Sequence, residues 1–303
     1  LKSCMRLIGD LPVVWEINSP ANEALAYSWL GGKSNAIKES YFKKSKRFIH
    51  ATKKIPGIYL EERFRKKMAK NVSAAICVSK ALGKYASDAL GIPEVLVLPN
   101  GGQLMSEDEI RQRREREQLD GFTVLYSGSA MYPWQGLNYL SEVIKLALKE
   151  APDISFVLAV NQRVPDLPTT DNVVILEHLD REKILDAICA SDACVSLHPE
   201  YPWSKYGFHN SPMKLFEYMA CMRPVVTSNH GQMSDIMRDE KDGLLTENDP
   251  VSILSRLCYI KDNPVQAADI GKQAWQRVQS EFNWQNNTRK TLKAFERAIE
   301  HVE

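Results

Sequence analysis

Short apolar runs closed by Gly, Pro, Asn or Ser recur along the chain, and most precede a stretch with the periodicity of a helix. Residues 13–17 read as a short buried strand ended by Asn18-Ser-Pro20. Residues 74–78 and 95–98 read as two more, and Ser79 is placed to cap a helix starting near Lys80. Residues 33–70 read as largely helical with a break near Pro56-Gly57, and Gly31-Gly32 breaks the helical stretch before them. Beyond an almost wholly charged stretch, 107–118, which predicts an exposed linker or short surface helix, a second alternation begins. Strands are predicted at 124–127, 154–160, 173–176, 193–197 and 224–227. Helices are predicted at 137–149, 181–190, 214–221 and 233–238.

Short apolar strands alternating with helices imply parallel sheets covered on both faces. The fold class expected is α/β, with two Rossmann-like halves joined near residue 105. The first half holds only about three strands, too few for a complete doubly wound domain, and the chain opens on Leu1. A truncated N-terminal domain is therefore expected, with more chain upstream.

Composition narrows this picture little: 44% apolar and 25% charged residues describe an ordinary globular protein. No apolar run reaches the ~18 residues of a membrane span. Six cysteines are scattered without metal-site spacing, so free thiols in a reducing compartment are expected. Charge is more informative. Residues 33–70 hold thirteen Lys/Arg against three Glu, in a chain whose net charge is +1. Such a block is either a solvated helical face or a surface for anionic lipid, with Phe42, Phe48, Ile49, Ile58, Tyr59 and Phe64 supplying apolar contacts. No nucleic-acid motif accompanies it.

In open parallel sheets ligands sit beyond the C-terminal strand ends, so the loops there carry the candidate chemistry. Tyr126-Ser-Gly128-Ser129 lies between a strand and a helix, where a glycine lets backbone approach a phosphate or simply makes a tight turn. In Ser211-Pro212-Met213-Lys214-Leu-Phe-Glu217, Ser-Pro marks a helix start. Lys214 and Glu217, three apart, either share a cleft or form a surface pair. A cation beside a helix N-terminus suits a diphosphate, and a carboxylate can accept both hydroxyl protons of a ribose. Asn229-His-Gly-Gln232 is a third such loop, or an ordinary turn. No G-x-G-x-x-G follows a strand, which argues against a nicotinamide enzyme.

The run SPMKLFEYMACMRPVV resembles the donor-site block of retaining family 4 glycosyltransferases of the GT-B fold. Glu16-Ile-Asn-Ser-Pro20, Ala75-Ile-Cys-Val-Ser79, Val97-Leu-Pro-Asn-Gly101 and Phe282-Asn-Trp284 resemble further blocks in the family's order. The resemblance implies a truncated acceptor-side domain (1–105), a donor-binding domain (106–280) and a last helix (281–303) crossing back to the first. It implies Glu217 on the donor ribose, Gly128 at the first donor-domain strand, and Lys214 near the diphosphate. The backbone of Asn210, Ser211, Pro212 and Met213 would meet the transferred sugar, and Glu16, Asn18 and Glu23 would face the acceptor side.

The departures matter. His209 stands where the family's first acidic residue is expected, and either touches donor sugar or diphosphate or is a packed loop residue. Ser129 and Gln135 replace the usual phosphate-binding cations, so Lys214 becomes the main charged contact, helped by Ser129 and the Gly128 amide. No Asp-x-Asp pair sits at a strand end, so no cofactor and no metal are expected. The implied activity is retaining, metal-independent transfer from a UDP- or GDP-sugar to a glycan, lipid-linked or small hydroxyl acceptor. A cytoplasmic setting is expected, with peripheral contact at the inner face of an anionic membrane. The rival readings are a non-catalytic sugar-nucleotide-binding protein of the same fold and a GT-B epimerase.

Overall fold

A computed structural model describes residues 11–26, 41–117, 119–162, 164 and 167–300. Cys4 and Gly31-Gly32 lie outside them, as do residues 33–40 of the basic stretch. The side chains of 41–50, Phe42, Phe48 and Ile49 among them, are also outside what the structure describes.

Strands β1 (Val14–Ile17), β2 (Ala74–Cys77) and β3 (Glu94–Val97) form a parallel sheet in that order. Helix α1 (Tyr41–Ala69) leads into β2, and α2 (Lys80–Lys84) follows it. The Ser79 hydroxyl caps α2 by accepting from the Leu82 amide at 3.3 Å. The break expected at Pro56-Gly57 is absent, because α1 runs through both residues. Both face solvent, where water can take over a backbone partner that proline does not supply.

The second sheet holds β4 (Phe122–Gly128), β5 (Ile154–Val160), β6 (Val173–Glu177), β7 (Ala193–Ser196), β8 (Val225–Ser228) and β9 (Leu244–Thr246). All its pairs are parallel and the order is β6-β5-β4-β7-β8-β9. Alternate residues of each strand feed opposite cores. Val124, Tyr126, Phe156, Leu158, Val195 and Val226 meet α4 (Leu137–Glu150) and α8 (Pro250–Asp262). Leu125, Val157, Cys194 and Val225 meet α3 (Glu107–Arg116), α5 (Arg181–Ala190), α6 (Met213–Ala220) and α9 (Pro264–Ser280). At roughly 1.5–3 kcal/mol per buried apolar side chain, these two layers hold the unit together.

Of the two readings of the charged 107–118 stretch, linker or short surface helix, the structure has the helix, α3. Ser106 caps α3, and Arg113 is buried between Asp186 and Glu182 of α5, at 2.8 Å from each. The short helix expected at 233–238 starts and ends earlier, as α7 (Gly231–Ile236). The described cysteines are unpaired thiols, all buried except half-buried Cys258.

The chain passes between the sheets twice at one place. The Gly102 amide donates to the Phe282 carbonyl at 2.8 Å, and Asn287 to the Pro99 carbonyl at 2.7 Å. The Met105 carbonyl accepts from Trp275 at 2.8 Å and from Gln279 at 2.9 Å. Helix α10 (Trp284–Glu300) then lies on β1 and β2, its Ala294 packed with Ile76 and Leu98.

Gly136, the cap of α4, sits at φ 70° with its α-carbon against the Leu197 carbonyl, which a methyl group would overlap. Gly136→Ala is therefore expected to cost more than about 1 kcal/mol. Urea denaturation checks this, and an unchanged midpoint would contradict the packing described.

Candidate active site

In the second sheet the strand order reverses between β4 and β7. The helix after β4 covers one face and the helix after β7 the other, so a crevice opens at their C-terminal ends. A cleft of about 550 Å3 occupies that crevice. Ser127 and Gly128 end β4 there, Trp134 and Gln135 lie before α4, and His198 follows β7. Residues 210–214 and Glu217 close the cleft from the start of α6, and Arg181, Ile184 and Leu185 line it from α5.

Lys214 is the centre of this arrangement. It is only 7% exposed, and its ammonium finds no hydrogen-bond partner among the described residues. Nζ sits 4.0 Å from the centroid of the Tyr126 ring, a cation–π contact. A Cβ on Gly128 would come within 2.8 Å of Nζ, so the glycine makes the room this ammonium occupies. Burial pulls the Lys214 pKa down to about 7, and the Glu217 charge opposes only part of that. Burial likewise raises the Glu217 carboxyl, with Arg181 and Lys214 pulling the other way.

The scaffold around it is stiff. The Tyr218 hydroxyl accepts from the Ser127 amide at 2.7 Å and so ties α6 to β4. The His198 ring lies 2.8 Å from the Trp134 carbonyl at Nδ1 and 3.1 Å from the Ser196 hydroxyl at Nε2. A carbonyl can only accept, so Nδ1 carries the proton. Burial first, and the Lys214 charge second, lower the His198 pKa to about 3, which keeps the ring neutral.

The first sheet reaches over to the same loop. The Asn100 amide donates to the Ser211 hydroxyl at 2.9 Å, and its side chain to the Ser211 carbonyl at 2.7 Å. Ser79 donates to the His209 carbonyl at 2.7 Å, and Lys80 pairs with Asp235 at 2.8 Å. Ser211 thus serves the neighbouring sheet instead of capping α6, whose cap position is Pro212.

The structure brings Gly128, Gln135, Asn210, Ser211, Pro212, Met213, Lys214 and Glu217 to one cleft. Others lie elsewhere. Ser129 is not on the wall, and its hydroxyl accepts from the Met131 amide at 3.2 Å. The His209 ring is buried against Tyr201, away from the cleft lining. Among the described residues neither of its nitrogens reaches a hydrogen-bond partner at normal geometry, and burial lowers its pKa to about 4, with the Gly207 backbone opposing in part. Glu16 and Asn18 line a separate cleft of about 330 Å3 with Glu61 and Arg65. Glu23 lies near enough to Tyr201 for its charge to add to burial in raising that phenol.

Sequence reasoning missed Arg181, His198 and Asn100. Arg181 and His198 follow predicted strands, where the strand-end rule pointed, and Asn100 stood inside a quoted block. Arg181 matters most, as a second cation at a site that seemed to have only one.

Residues 121–263 match the family model for glycosyl transferases group 1. An uncharacterized glycosyltransferase of Methanocaldococcus jannaschii is 20% identical over 279 residues, 84% of this chain and 69% of that protein. Sucrose-phosphate synthase from Thermosynechococcus elongatus superposes with a TM-score of 0.68 at 17% identity, over 99% of this chain and 71% of its own. The fold is GT-B. Anabaena HepE, solved with UDP and glucose, superposes at 0.63 and 15% identity, over 96% of this chain and 74% of its own. These matches support a GT-B glycosyltransferase.

Among the described residues no group of three or more His, Cys, Asp or Glu is arranged to hold a metal ion. No described helix is long and apolar enough to cross a membrane.

The Lys214 ammonium makes a signed prediction. Its folded pKa of about 7 lies below the ordinary 10.5, so between those values the unfolded chain binds more protons. The stability cost of Lys214 is full below about pH 7 and fades as pH rises toward 10.5. Lys214→Met is expected to raise the ligand-free melting temperature by several degrees near pH 6, with the gap narrowing in alkali. Equal melting curves near pH 6 would contradict the burial argument.

Proposed function

We propose that the chain transfers a sugar, with retention and without a metal, from a nucleoside-diphosphate sugar to a hydroxyl acceptor. The observation carrying this reading is the buried, unpaired Lys214 ammonium facing a cleft at the reversal of strand order, with Arg181 and Glu217 on the same walls. A desolvated cation without a counter-ion is costly, and an anionic diphosphate would supply the missing charge. Glu217, at the next turn of α6, is spaced to take the ribose hydroxyls, and Ile184 and Leu185 offer apolar wall to the base.

In the proposed step the bond from the sugar's anomeric carbon to the phosphate oxygen breaks, and its electron pair leaves with the diphosphate. The acceptor oxygen bonds to that carbon on the same face, and its proton passes to the departing phosphate oxygen. Lys214 and Arg181 stabilise the charge gathering there, which is electrostatic catalysis by preplaced groups. Among donors, UDP- and GDP-sugars are the first choices, and a glycan or lipid-linked hydroxyl is the acceptor. The unpaired thiols fit a reducing, cytoplasmic setting.

A thermal-shift screen of UDP-, GDP- and dTDP-sugars tests the donor, since a ligand at 100 times its Kd adds about 2.7 kcal/mol of stability. One nucleotide is expected to raise the melting temperature, and Lys214→Ala to abolish both that shift and sugar transfer. Binding without turnover would favour a non-catalytic protein, and sugar isomerisation without an acceptor would favour an epimerase.

Membrane attachment belongs to the same reading. On α1 the exposed Ile55, Tyr59 and Leu60 stand among Lys53, Arg63, Lys66 and Lys67. Co-sedimentation is expected to favour vesicles containing anionic lipid, and no preference would remove the idea.

A further inference from the structure

A third cleft, of about 370 Å3, opens where the loops after β7, β8 and β9 meet the first turn of α4. Its chemistry is unlike that of the Lys214 cleft. No Lys or Arg lines it, whereas Glu200 and Glu247 both do, and both are exposed. A phosphate or other anion would meet two carboxylates and no balancing cation, which disfavours the sugar nucleotide itself.

Two aromatic side chains, with Pro199 and Pro202, form the apolar part of the wall. Trp203 lies against Tyr201, ring centroids 4.6 Å apart and planes 28° from parallel. Tyr201 is itself buried, with its hydroxyl donating to Asn210 at 3.2 Å, so the indole rests on a fixed support. Tyr139 comes from α4, close enough to Glu200 for that carboxylate to help raise its phenol.

The floor is equally fixed. The Asn248 side chain donates to the His198 carbonyl at 2.7 Å and accepts from the Ser228 hydroxyl at 2.6 Å. His230 meets the same carbonyl at 2.9 Å.

Aromatic surface beside carboxylates on a rigid wall suits a neutral molecule with an apolar face and a rim of hydroxyls. A pyranose has both: its axial C–H groups cover an aromatic ring, and adjacent hydroxyls donate together to one carboxylate. The volume lies at the small end of the ~300–1,000 Å3 usual for small-molecule clefts, which suits one or two sugar rings. We infer that this cleft is a binding site for a neutral saccharide, stacked on Trp203 and held by Glu200 and Glu247. The role it would have, gripping a glycan acceptor or product beside the transfer site, rests on the sugar-transfer reading. The binding claim does not.

Saturation-transfer NMR on the full chain tests it, using methyl glycosides of glucose, galactose, mannose and N-acetylglucosamine, together with maltose. At least one is expected to receive saturation. Trp203→Ala and Glu200→Gln are each expected to weaken its binding by about fivefold or more, the loss of one well-placed contact. Excess UDP and Lys214→Ala are expected to leave it unchanged. If Trp203→Ala fails to fold, judged by circular dichroism, Glu200→Gln decides. No binding by any glycoside overturns the proposal, as does binding unaffected by Glu200→Gln. Displacement by UDP overturns it too, since that would place the sugar in the Lys214 cleft. Failure of the transfer reading shows separately, as UDP stabilisation that survives Lys214→Ala.

Discussion

An ammonium removed from water without an anion beside it is the constraint around which this molecule is arranged. Lys214 has no hydrogen-bond partner among the described residues, and the Tyr126 ring face and the charge of Glu217 offset only part of what burial costs. The structure tolerates this because everything near the ammonium is held by something else. Tyr218 ties α6 to β4, His198 is fixed at both nitrogens, and Gly128 leaves the space. A site that is unfavourable when empty gains most when an anion enters, which is how stability is exchanged for affinity at functional positions.

The donor-side cleft is not a property of one sheet alone. The loop entering α6 takes its shape from bonds that originate in the other unit, from Asn100 to Ser211 and from Ser79 to His209. The two ends of β2 and β3 therefore act on the geometry around Lys214 without touching the cation. Ordinary loops are held by their own neighbours in sequence. Here the long-range bonds do that work, and they make the cleft a joint product of both sheets.

Much of this was legible in the chain. Short apolar runs such as 124–127 and 154–160, alternating with helical stretches, pointed to the parallel layers, and of the two readings of the Lys214–Glu217 spacing the structure has the shared cleft. What escaped was whatever depends on residues far apart in sequence. Arg181 reads as the first residue of a charged helix until the fold sets it beside Glu217. His209 reads equally as a donor contact or a packed loop residue, and only its packing against Tyr201 shows the second. Pro56-Gly57 reads as a break, yet on a solvent-facing turn of a long helix a local preference of about 3 kcal/mol can be overridden. Ser211-Pro212 reads as a helix start, and Ser211 also bridges to Asn100.

The paired crossing between the sheets has a mechanical meaning. Residues 99–105 and 275–287 are bonded to one another at Pro99, Gly102 and Met105, so the two passages behave as a single ribbon. Pulling the units apart would break that ribbon, whereas turning one against the other about it would break the bonds from Ser79, Lys80, Asn100 and Gln232 and part Tyr206 from the Tyr85 ring. The two units are thus fastened twice, once along the ribbon and once by these contacts, of which those from Ser79 and Asn100 hold the loop that enters α6.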